Sequence, residues 1–104
     1  MSRFDRDARA IVTAYATPAA RAHAAIRWAS APLERIESLL PRGGSVLDVG
    51  CGHGVFSLYA ALRGSSRVVT GVDIDAAKIE LGRRAVERLG VANRVTLTEV
   101  TAAW

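Results

Sequence analysis

The stretch Val46-Leu-Asp-Val-Gly-Cys-Gly-His-Gly54 decides how this chain folds. Its first four residues form a short, mostly apolar run that predicts a buried strand, and three glycines at alternate positions follow. A helical run from Val55 to Leu62 comes directly afterwards. A glycine loop between a strand and a helix lies where backbone amides lack intrahelical partners and where a ligand can approach the main chain. The stretch therefore predicts a site for a small polar ligand.

A second strand with a carboxylate at its end follows the loop. Val68-Val-Thr-Gly-Val72 reads as a buried strand, and Asp73 stands directly after it. A carboxylate at this place can accept hydrogen bonds from both hydroxyls of a ribose, and its charge disfavours a 2′-phosphate. Asp75 is predicted to cap the next helix, which runs to about Leu89. We therefore expect a ligand that carries an unphosphorylated ribose.

The rest of the chain predicts an α/β fold with a truncated, Rossmann-like parallel sheet. Three strands that alternate with helices indicate strand order 3-2-1, with helices on both faces of the sheet. Residues 1–41 are predicted to be amino-terminal helices that cap the sheet or pack on it, and residues 42–104 a partial Rossmann-like unit within the same domain. The predicted elements are helices over 4–16, 19–29 and 32–40, a turn at 42–44, and a third strand over 95–98.

The charge pattern gives no sign of a nucleic-acid partner. The formal net charge of +4 comes from arginines scattered between Arg3 and Arg94, and Lys78 is the only lysine. Nucleic-acid-binding proteins concentrate basic residues on one face. The scatter and the shortage of lysine instead indicate the compositional bias of a GC-rich genome.

Several further classes are disfavoured by composition. Cys51 is the only cysteine, so no internal disulfide can form, and His23 is isolated from other candidate ligands, so no metal site is predicted. The amino-terminal residues 1–7 are charged where a signal peptide is apolar. No apolar run approaches the roughly 18 to 20 residues of a membrane span. We expect a cytoplasmic protein.

The loop spacing separates this chain from the common nucleotide-binding loops. No lysine followed by serine or threonine comes after the glycines, which excludes a phosphate-cradling loop of the GxxxxGK type. The dinucleotide fingerprint GxGxxG would need a glycine at Val55. A nicotinamide-cofactor domain therefore stays a minor alternative.

Together, the stretch from Val46 to Gly54 and Gly71-Val-Asp-Ile-Asp75 resemble motifs I and II of class I S-adenosylmethionine (SAM) dependent methyltransferases. The resemblance covers about residues 33–100. It implies that SAM is the cofactor and that S-adenosyl-L-homocysteine is its product. It also implies a cofactor site in which the methionine part of SAM is lined by Asp48, Gly50, Gly52 and Gly54, with Cys51 in the same loop, while Asp73 holds the ribose and Ile74 packs on adenine.

The sequence departs from that family in two places. Thr101 stands where the family usually has an aspartate that reads the adenine amino group, and no acceptor site is found before Trp104. The catalytic residues and the methyl acceptor are therefore not identified. Because methyl transfer depends mainly on aligning donor and acceptor, we expect SAM binding without robust turnover by this chain alone.

Some residues have a structural alternative. Asp48 is also a candidate for ordering the loop through backbone amides, and His53 is a weaker candidate for a base than for a structural residue. Cys51 is expected to be a small residue packed beneath the glycine turn. Phe4, Tyr15 and Trp28 are expected in the core rather than over the cofactor.

A different class of function stays open beside the enzyme. The predicted strand order leaves an exposed edge on the first strand, where a fourth strand would normally pair. In this alternative, the chain is a noncatalytic assembly module that pairs this edge with a second copy or another protein.

Overall fold

The computed structural model describes residues 3–101. Its three strands form one parallel sheet of order β1-β2-β3, which confirms the predicted α/β class and strand order. The elements follow one another as α1 (Arg3–Ala14), α2 (Pro18–Ser30), α3 (Leu33–Ser38), β1 (Gly43–Val49), α4 (Val55–Arg63), β2 (Ser66–Asp73), α5 (Ala76–Arg88) and β3 (Val95–Glu99).

Side-chain caps fix the beginnings of two helices. The Thr17 hydroxyl accepts a hydrogen bond from the Ala20 amide at 3.1 Å, and Pro18 occupies the first turn of α2. Proline suits that position because its missing amide has no intrahelical partner there. The predicted cap at Asp75 is confirmed, since its carboxylate accepts the Lys78 amide at 3.1 Å.

Element ends differ from the sequence prediction in several places, most of them by one or two residues. The turn predicted at 42–44 is wrong, because Gly43 and Gly44 belong to β1 and pair in register with the start of β2. Pairing with a neighbouring strand outweighs the weak strand preference of glycine. The first and third helices end two residues earlier than predicted, at Ala14 and Ser38.

The helices cover only one face of the described sheet, so the prediction of helices on both faces is wrong for this part of the chain. Val69 and Leu97 point into the core, whereas Leu47, Val49 and Val68 on the other face are 64%, 55% and 54% exposed. Both crossovers run in the same direction across the sheet, and right-handed crossovers of that kind place α4 and α5 on one face. No element within residues 3–101 covers the opposite face.

The amino-terminal helices pack on the covered side. α1 lies against α4 and α5, and α3 lies against α4. Ile11 and Tyr15 are fully buried in the same apolar core as Leu58 and Val69. The Arg88 guanidinium also donates to the Ala14 carbonyl at 3.1 Å, which fixes the end of α1 on α5. The division between residues 41 and 42 stays a prediction.

Two arginines, Arg67 and the half-buried Arg94, connect elements at the amino-terminal end of the sheet. Arg67 is completely buried, forms an ion pair with Glu37 at 2.9 Å and donates to the carbonyls of Pro41 and Ala60. Arg94 donates to three carbonyls around the end of α4 and the start of β2. The scattered arginines thus include groups that satisfy backbone carbonyls between elements. No helix in residues 3–101 has the length and apolarity to cross a bilayer.

Candidate functional site

The loop after β1 owes its shape to three glycines with positive φ. Gly50, Gly52 and Gly54 have φ of 72°, 57° and 82°, a region that side chains with a Cβ disfavour. Gly54 is also required by packing, because a Cβ there would lie 2.7 Å from Leu97 Cδ1. The loop therefore folds back tightly before α4 begins at Val55.

The amides of this loop are already used by the protein. Those of Gly50 and Cys51 both donate to the Val72 carbonyl at 2.8 and 3.0 Å, and that of Gly54 donates to the Cys51 carbonyl at 2.9 Å. The Gly52 amide donates to Asp73 Oδ2 at 2.8 Å. The expectation of unsatisfied loop amides is wrong at these four positions, since the loop satisfies them when it turns across the end of β2. The glycines supply close approach to the backbone instead.

Asp73 connects the loop to the end of β2. Its Oδ2 accepts the Gly52 amide and its Oδ1 accepts the Asp75 amide at 2.8 Å. The hydrogen bond from the Asp75 amide is the largest cause that lowers the pKa of Asp73, so the group is a carboxylate. A carboxylate has about four lone-pair sites, and these two bonds leave acceptor capacity for two ribose hydroxyls.

Asp48 lies beneath the loop and orders it. Its Oδ2 accepts the Ser57 hydroxyl at 2.7 Å, which connects the end of β1 to the first turn of α4. Burial raises the pKa of Asp48, while the hydrogen bond from Ser57 and the charge of Arg27 act in the opposite direction. A cation brought into the cleft would favour the ionised form of Asp48.

Cys51 is a packing residue of the loop with an unreactive thiol. The side chain is half-buried, and a Cβ added at Gly71 would lie 2.9 Å from its Sγ. Burial, with the charges of Asp48 and Asp73, raises the pKa of the Cys51 thiol to about 12. The thiol is therefore protonated at neutral pH and is not a nucleophile.

A cleft of about 200 Å³ opens at the carboxyl ends of β1 and β2. Sites that bury a whole drug-sized ligand measure about 300–1,000 Å³, so this cleft can cover only part of such a molecule. Of the predicted cofactor residues it brings together Gly50, Cys51, Gly52 and Asp73; Asp48 and Gly54 do not line it, and Ile74 is 60% exposed outside it. The lining residues are His23, Arg27, Gly50, Cys51, Gly52, His53, Val55, Phe56, Asp73 and Lys78.

Two histidines form one wall of the cleft. His53 is buried, and its ring centroid lies 4.6 Å from that of His23 on α2, so the prediction that His23 is isolated is wrong. Burial, with the charges of His23 and Lys78, lowers the pKa of His53. Within the described residues His53 Nδ1 has no hydrogen-bond partner. His53 is thus a neutral imidazole in the loop, in agreement with a structural role.

The amino-terminal aromatics Tyr15 and Trp28 pack against the loop and α4, respectively. Tyr15 is fully buried, and its hydroxyl donates to the His53 carbonyl at 2.7 Å. Burial raises the pKa of Tyr15 far above its usual value. Trp28 packs edge-on against Tyr59 with ring centroids 5.1 Å apart. The core placement of Tyr15 and Trp28 is confirmed, while the Phe4 side chain lies outside the described part.

Sequence reasoning missed two glycines that let the elements close around the site. A Cβ at Gly82 on α5 would lie 2.6 Å from the His53 carbonyl oxygen, and one at Gly71 on β2 would lie 2.7 Å from Leu97. Each glycine is therefore a point of close contact between elements. A glycine inside a predicted helix, at Gly82, was the signal that could have indicated this.

Sequence reasoning also missed the cations of the cleft. Arg27 and His23 lie one turn apart on α2, a spacing that places both on one face of a helix, and Lys78 follows the cap of α5. The first turn after a second strand comes at the carboxyl edge of the sheet, which could have indicated Lys78. Among residues 3–101 no group of three or more His, Cys, Asp or Glu side chains could hold a metal ion. Thr101 is exposed after β3, and residues 102–104 lie outside the described part.

Comparison with known proteins gives a consistent family. A family model described as "Methyltransferase domain" matches residues 46–103, more than half of the chain. The ribosomal protein L11 methyltransferase of Vibrio campbellii is 41% identical over 63 residues, which are 61% of this chain and 21% of that protein. The probable cobalt-precorrin-6B C(15)-methyltransferase (decarboxylating) of Pyrobaculum calidifontis is 48% identical over 59 residues, 56% of this chain and 30% of that protein.

A solved structure gives the same result. The geranyl diphosphate C-methyltransferase of Streptomyces coelicolor A3(2), in complex with Mg²⁺, geranyl diphosphate and S-adenosyl-L-homocysteine, is similar with a TM-score of 0.64 and 28% identity. The match covers 72% of this chain and 29% of that one. This chain spans less than a third of each of these three proteins. With the glycine loop and Asp73 in place and more than half of its length matched, the chain belongs to the methyltransferase domain family.

Proposed function

We propose that this chain binds SAM and S-adenosyl-L-homocysteine as the cofactor-binding part of a methyltransferase. The proposal rests on the hydrogen bond between the loop and β2 that the Gly52 amide donates to the Asp73 carboxylate at 2.8 Å. It holds a glycine turn and a carboxylate with free acceptor capacity at one cleft. In this arrangement Gly50, Cys51 and Gly52 contact the methionine part and Asp73 accepts the ribose hydroxyls. Asp48 and Gly54 shape the loop from beneath.

The adenine end of the cofactor lies beyond the enclosed cleft in this proposal. Ile74 is exposed next to Asp73, where an apolar side chain can cover one face of a flat base. Thr101 replaces the expected carboxylate there, which leaves shape and apolar contact as the source of adenine recognition. We therefore expect SAM affinity to depend more on Asp73 than on the adenine amino group.

The parent reaction is attack of an acceptor nucleophile on the sulfonium methyl group, which leaves S-adenosyl-L-homocysteine. The rate depends on holding donor and acceptor in line. A cleft of about 200 Å³ is too small to enclose both molecules. We therefore propose binding without robust turnover by the described chain alone.

Isothermal titration calorimetry of the purified chain with S-adenosyl-L-homocysteine, SAM and NAD tests the proposal. We expect both adenosyl-sulfur ligands to bind and NAD to give no heat, because the loop lacks the glycine that a dinucleotide needs at Val55. Binding of NAD in preference to SAM would favour a nicotinamide-cofactor domain. Absence of binding by all three would reject the cofactor proposal.

A second candidate function is assembly through the sheet. The side chains of Leu47 and Val49 are exposed on the bare face, and β1 pairs on one side only within the described chain. An unpaired strand edge beside exposed apolar residues favours pairing with a second copy of the chain. Sedimentation equilibrium with and without SAM distinguishes the two functions. A dimer that ignores SAM favours assembly, and a monomer that binds SAM rejects it.

We also propose a cytoplasmic location. The single cysteine can form no internal disulfide, so this sequence needs no oxidising compartment for a disulfide. Fractionation of cells that express the untagged protein tests this, and recovery with the membrane or secreted fraction would contradict it.

A further inference from the structure

The bare face, which is the sheet face that carries Leu47, Val49 and Val68, has no charged residue within the three strands. Side chains alternate between the faces of a strand, and paired residues share a face, so the register defines every position on it. All of these positions are glycine, serine, threonine, valine or leucine. The exposed side of α5, by contrast, carries Glu80 and Arg84. A sheet face that stays in water alternates to polar or charged side chains, so this composition indicates a face that becomes covered.

The bare face has an apolar half and a hydroxyl half. Leu47 and Val49 on β1 lie beside Thr70 and Val72 on β2. Thr96 on β3 lies on the other side of Thr70. Valine and threonine are β-branched and pack well on a pleated surface. The face therefore suits contact with another sheet whose apolar residues are also at its centre.

The size of the bare face limits what its coverage can achieve. Strands spaced about 4.8 Å apart, with about 3.3 Å per residue, make a three-stranded face of this length about 300 Å² in projection. The side chains stand out of the face, so a pair of such faces buries accessible surface on the order of 1,000 Å². That area is at the lower end of specific protein interfaces. It is enough for a weak dimer of this chain.

Pairing through the β1 edge would leave this face uncovered. Two copies that joined their β1 strands about a two-fold axis would form an antiparallel ladder. The bare faces of both copies would then lie on the same side of one continuous sheet. Such a dimer enlarges the exposed apolar patch, and large patches of this kind are disfavoured in water. Stacking the two bare faces on each other removes both from water.

The charge distribution favours a second copy as the occupant. The chain has a formal net charge of +4, and none of that charge comes from the bare face. An uncharged apolar surface offers no partner for the charges of an acidic or basic protein, so it is matched best by another uncharged surface. The bare face of a second copy is such a surface. A two-fold stack of the two therefore buries no charged side chain from the face positions.

We propose that two copies of this chain stack their bare faces about a two-fold axis, with Leu47, Val49 and Val68 at the centre of the interface. Sheets packed in this way lie about 10 Å apart. The inference rests on the second candidate function and gives the sheet face, rather than the β1 edge, as the contact. It is compatible with cofactor binding, because the cleft is lined from α2, α4 and α5 at the carboxyl edge of the sheet.

Sedimentation equilibrium of the full chain, from low micromolar to near-millimolar concentration, tests the proposal. We expect a dimer that forms within this range in the unaltered chain. Val68→Lys should raise its dissociation constant at least about tenfold, because the two-fold stack would bury two unpaired ammonium groups. Leu39→Lys is the matched control, since Leu39 is 81% exposed at the end of α3 and should not affect the dimer. Urea unfolding of each variant verifies that it folds.

A third variant separates face stacking from edge pairing. Thr96 is exposed on the bare face of β3, and β2 lies between it and β1. Thr96→Lys should therefore weaken a face-to-face dimer and leave a dimer joined at the β1 edges intact. Added sodium chloride should strengthen the proposed dimer, because it screens the repulsion between two copies of charge +4 and breaks no ion pair in the interface.

The outcomes distinguish this inference from cofactor binding. A monomer at every concentration overturns the inference, and so does a dimer that Val68→Lys leaves unchanged. A dimer that Val68→Lys weakens and Thr96→Lys does not would indicate edge pairing and also overturn it. Calorimetry with S-adenosyl-L-homocysteine is measured separately on the same samples. Failure to bind that ligand rejects the cofactor proposal alone, because the stacked faces do not include the cleft.

Discussion

The charged residues at the two ends of β2 differ in how far protein groups satisfy their hydrogen bonds. At its start Arg67 is completely buried, and its guanidinium is bound by Glu37 and by backbone carbonyls. At its end Asp73 is partly exposed and accepts two backbone amides, with acceptor capacity remaining. Arg27 lines the same cleft and is unpaired within the described residues.

This difference shows how one short strand serves both stability and binding. A buried charge that is fully satisfied by protein groups fixes the elements around it, and removing one partner is costly. A charge that keeps unsatisfied capacity at an open cleft can exchange water for a ligand. The amino-terminal end of the sheet is therefore the framework, and the carboxyl end is the site.

The largest expected effect comes from breaking the framework end. Arg67→Met should lower the free energy of unfolding by about 3–5 kcal/mol, because Glu37 then keeps a buried charge without its closest partner. Urea unfolding followed by circular dichroism measures the loss. Arg84→Met is the control, since it breaks an exposed ion pair with Glu80. Equal losses in the two variants would contradict the framework role.

A companion variant keeps this test informative if Arg67→Met does not fold. Arg67→Met combined with Glu37→Leu removes both charges, and we expect it to recover much of the lost stability. Failure of the double variant to recover would indicate that the carbonyl hydrogen bonds of Arg67 matter more than its ion pair with Glu37.

The next effect tests how closely α5 approaches the loop. Gly82→Ala places a Cβ 2.6 Å from the His53 carbonyl oxygen, and overpacking of this kind costs about 1–3 kcal/mol. The gain in helix propensity, about 1 kcal/mol, offsets part of this. We expect lower stability in thermal unfolding and weaker binding of S-adenosyl-L-homocysteine.

Gly43→Ala is the matched control for Gly82→Ala, because its added Cβ would meet Ser66 Cβ at 3.4 Å, an ordinary contact. We expect its affinity for S-adenosyl-L-homocysteine to be unchanged. If Gly82→Ala raises stability and keeps affinity, the contact between α5 and the loop is not required.

Substitution of Asp73 directly tests the proposed binding role of the carboxyl end of β2. Asp73→Asn should weaken binding of S-adenosyl-L-homocysteine by about 1–3 kcal/mol, because an ionised acceptor of the ribose hydroxyls is lost. Calorimetry measures this, with Asp75→Asn as the control, since asparagine caps a helix as well as aspartate does. Asp73 also orders the loop, so a 2′,3′-dideoxy ligand separates the two roles. The loss should be much smaller for that ligand if Asp73 holds the ribose.

The smallest expected effect is a pH dependence from His53. Burial lowers the pKa of His53 in the folded chain, and the neighbouring charges of His23, Lys78, Asp75 and Asp73 act on it as well. Below its ordinary value of about 6.5 the unfolded chain therefore binds a proton that the folded chain does not. Stability should be fully present above that pH and fall as the pH decreases toward the folded pKa.

Urea unfolding of the unaltered chain and of His53→Gln between pH 5 and pH 8 measures this contribution as the difference between their free energies of unfolding. We expect that difference to change with pH by at most about 1.4 kcal/mol per pH unit. The difference removes the opposite effect of Asp48, whose pKa is raised. Parallel curves for the two proteins would show that His53 does not set the pH dependence.

Much of the architecture and part of the site could be predicted from the sequence. Local backbone preferences are visible in the apolar runs, in the glycines after Val49 and in the capping residue Asp75. The preference for right-handed crossovers then predicts a parallel sheet with the observed strand order. The same rule could have predicted that α4 and α5 share one face. That the carboxyl ends of β1 and β2 meet, so that the glycine loop and Asp73 lie at one edge of the sheet, follows from the parallel order.

The sequence by itself determined the strands, the glycine turn and the place of Asp73, because these depend on neighbours along the chain. Only the tertiary structure decided which charges are satisfied: Arg67 is buried and bound, while Arg27 is unpaired within the described residues. It also placed His23 against His53 and gave hydrogen-bond acceptors within the protein to loop amides that were expected to be unsatisfied. Burial and hydrogen-bond partners arise from segments far apart in the chain, and no local pattern records them.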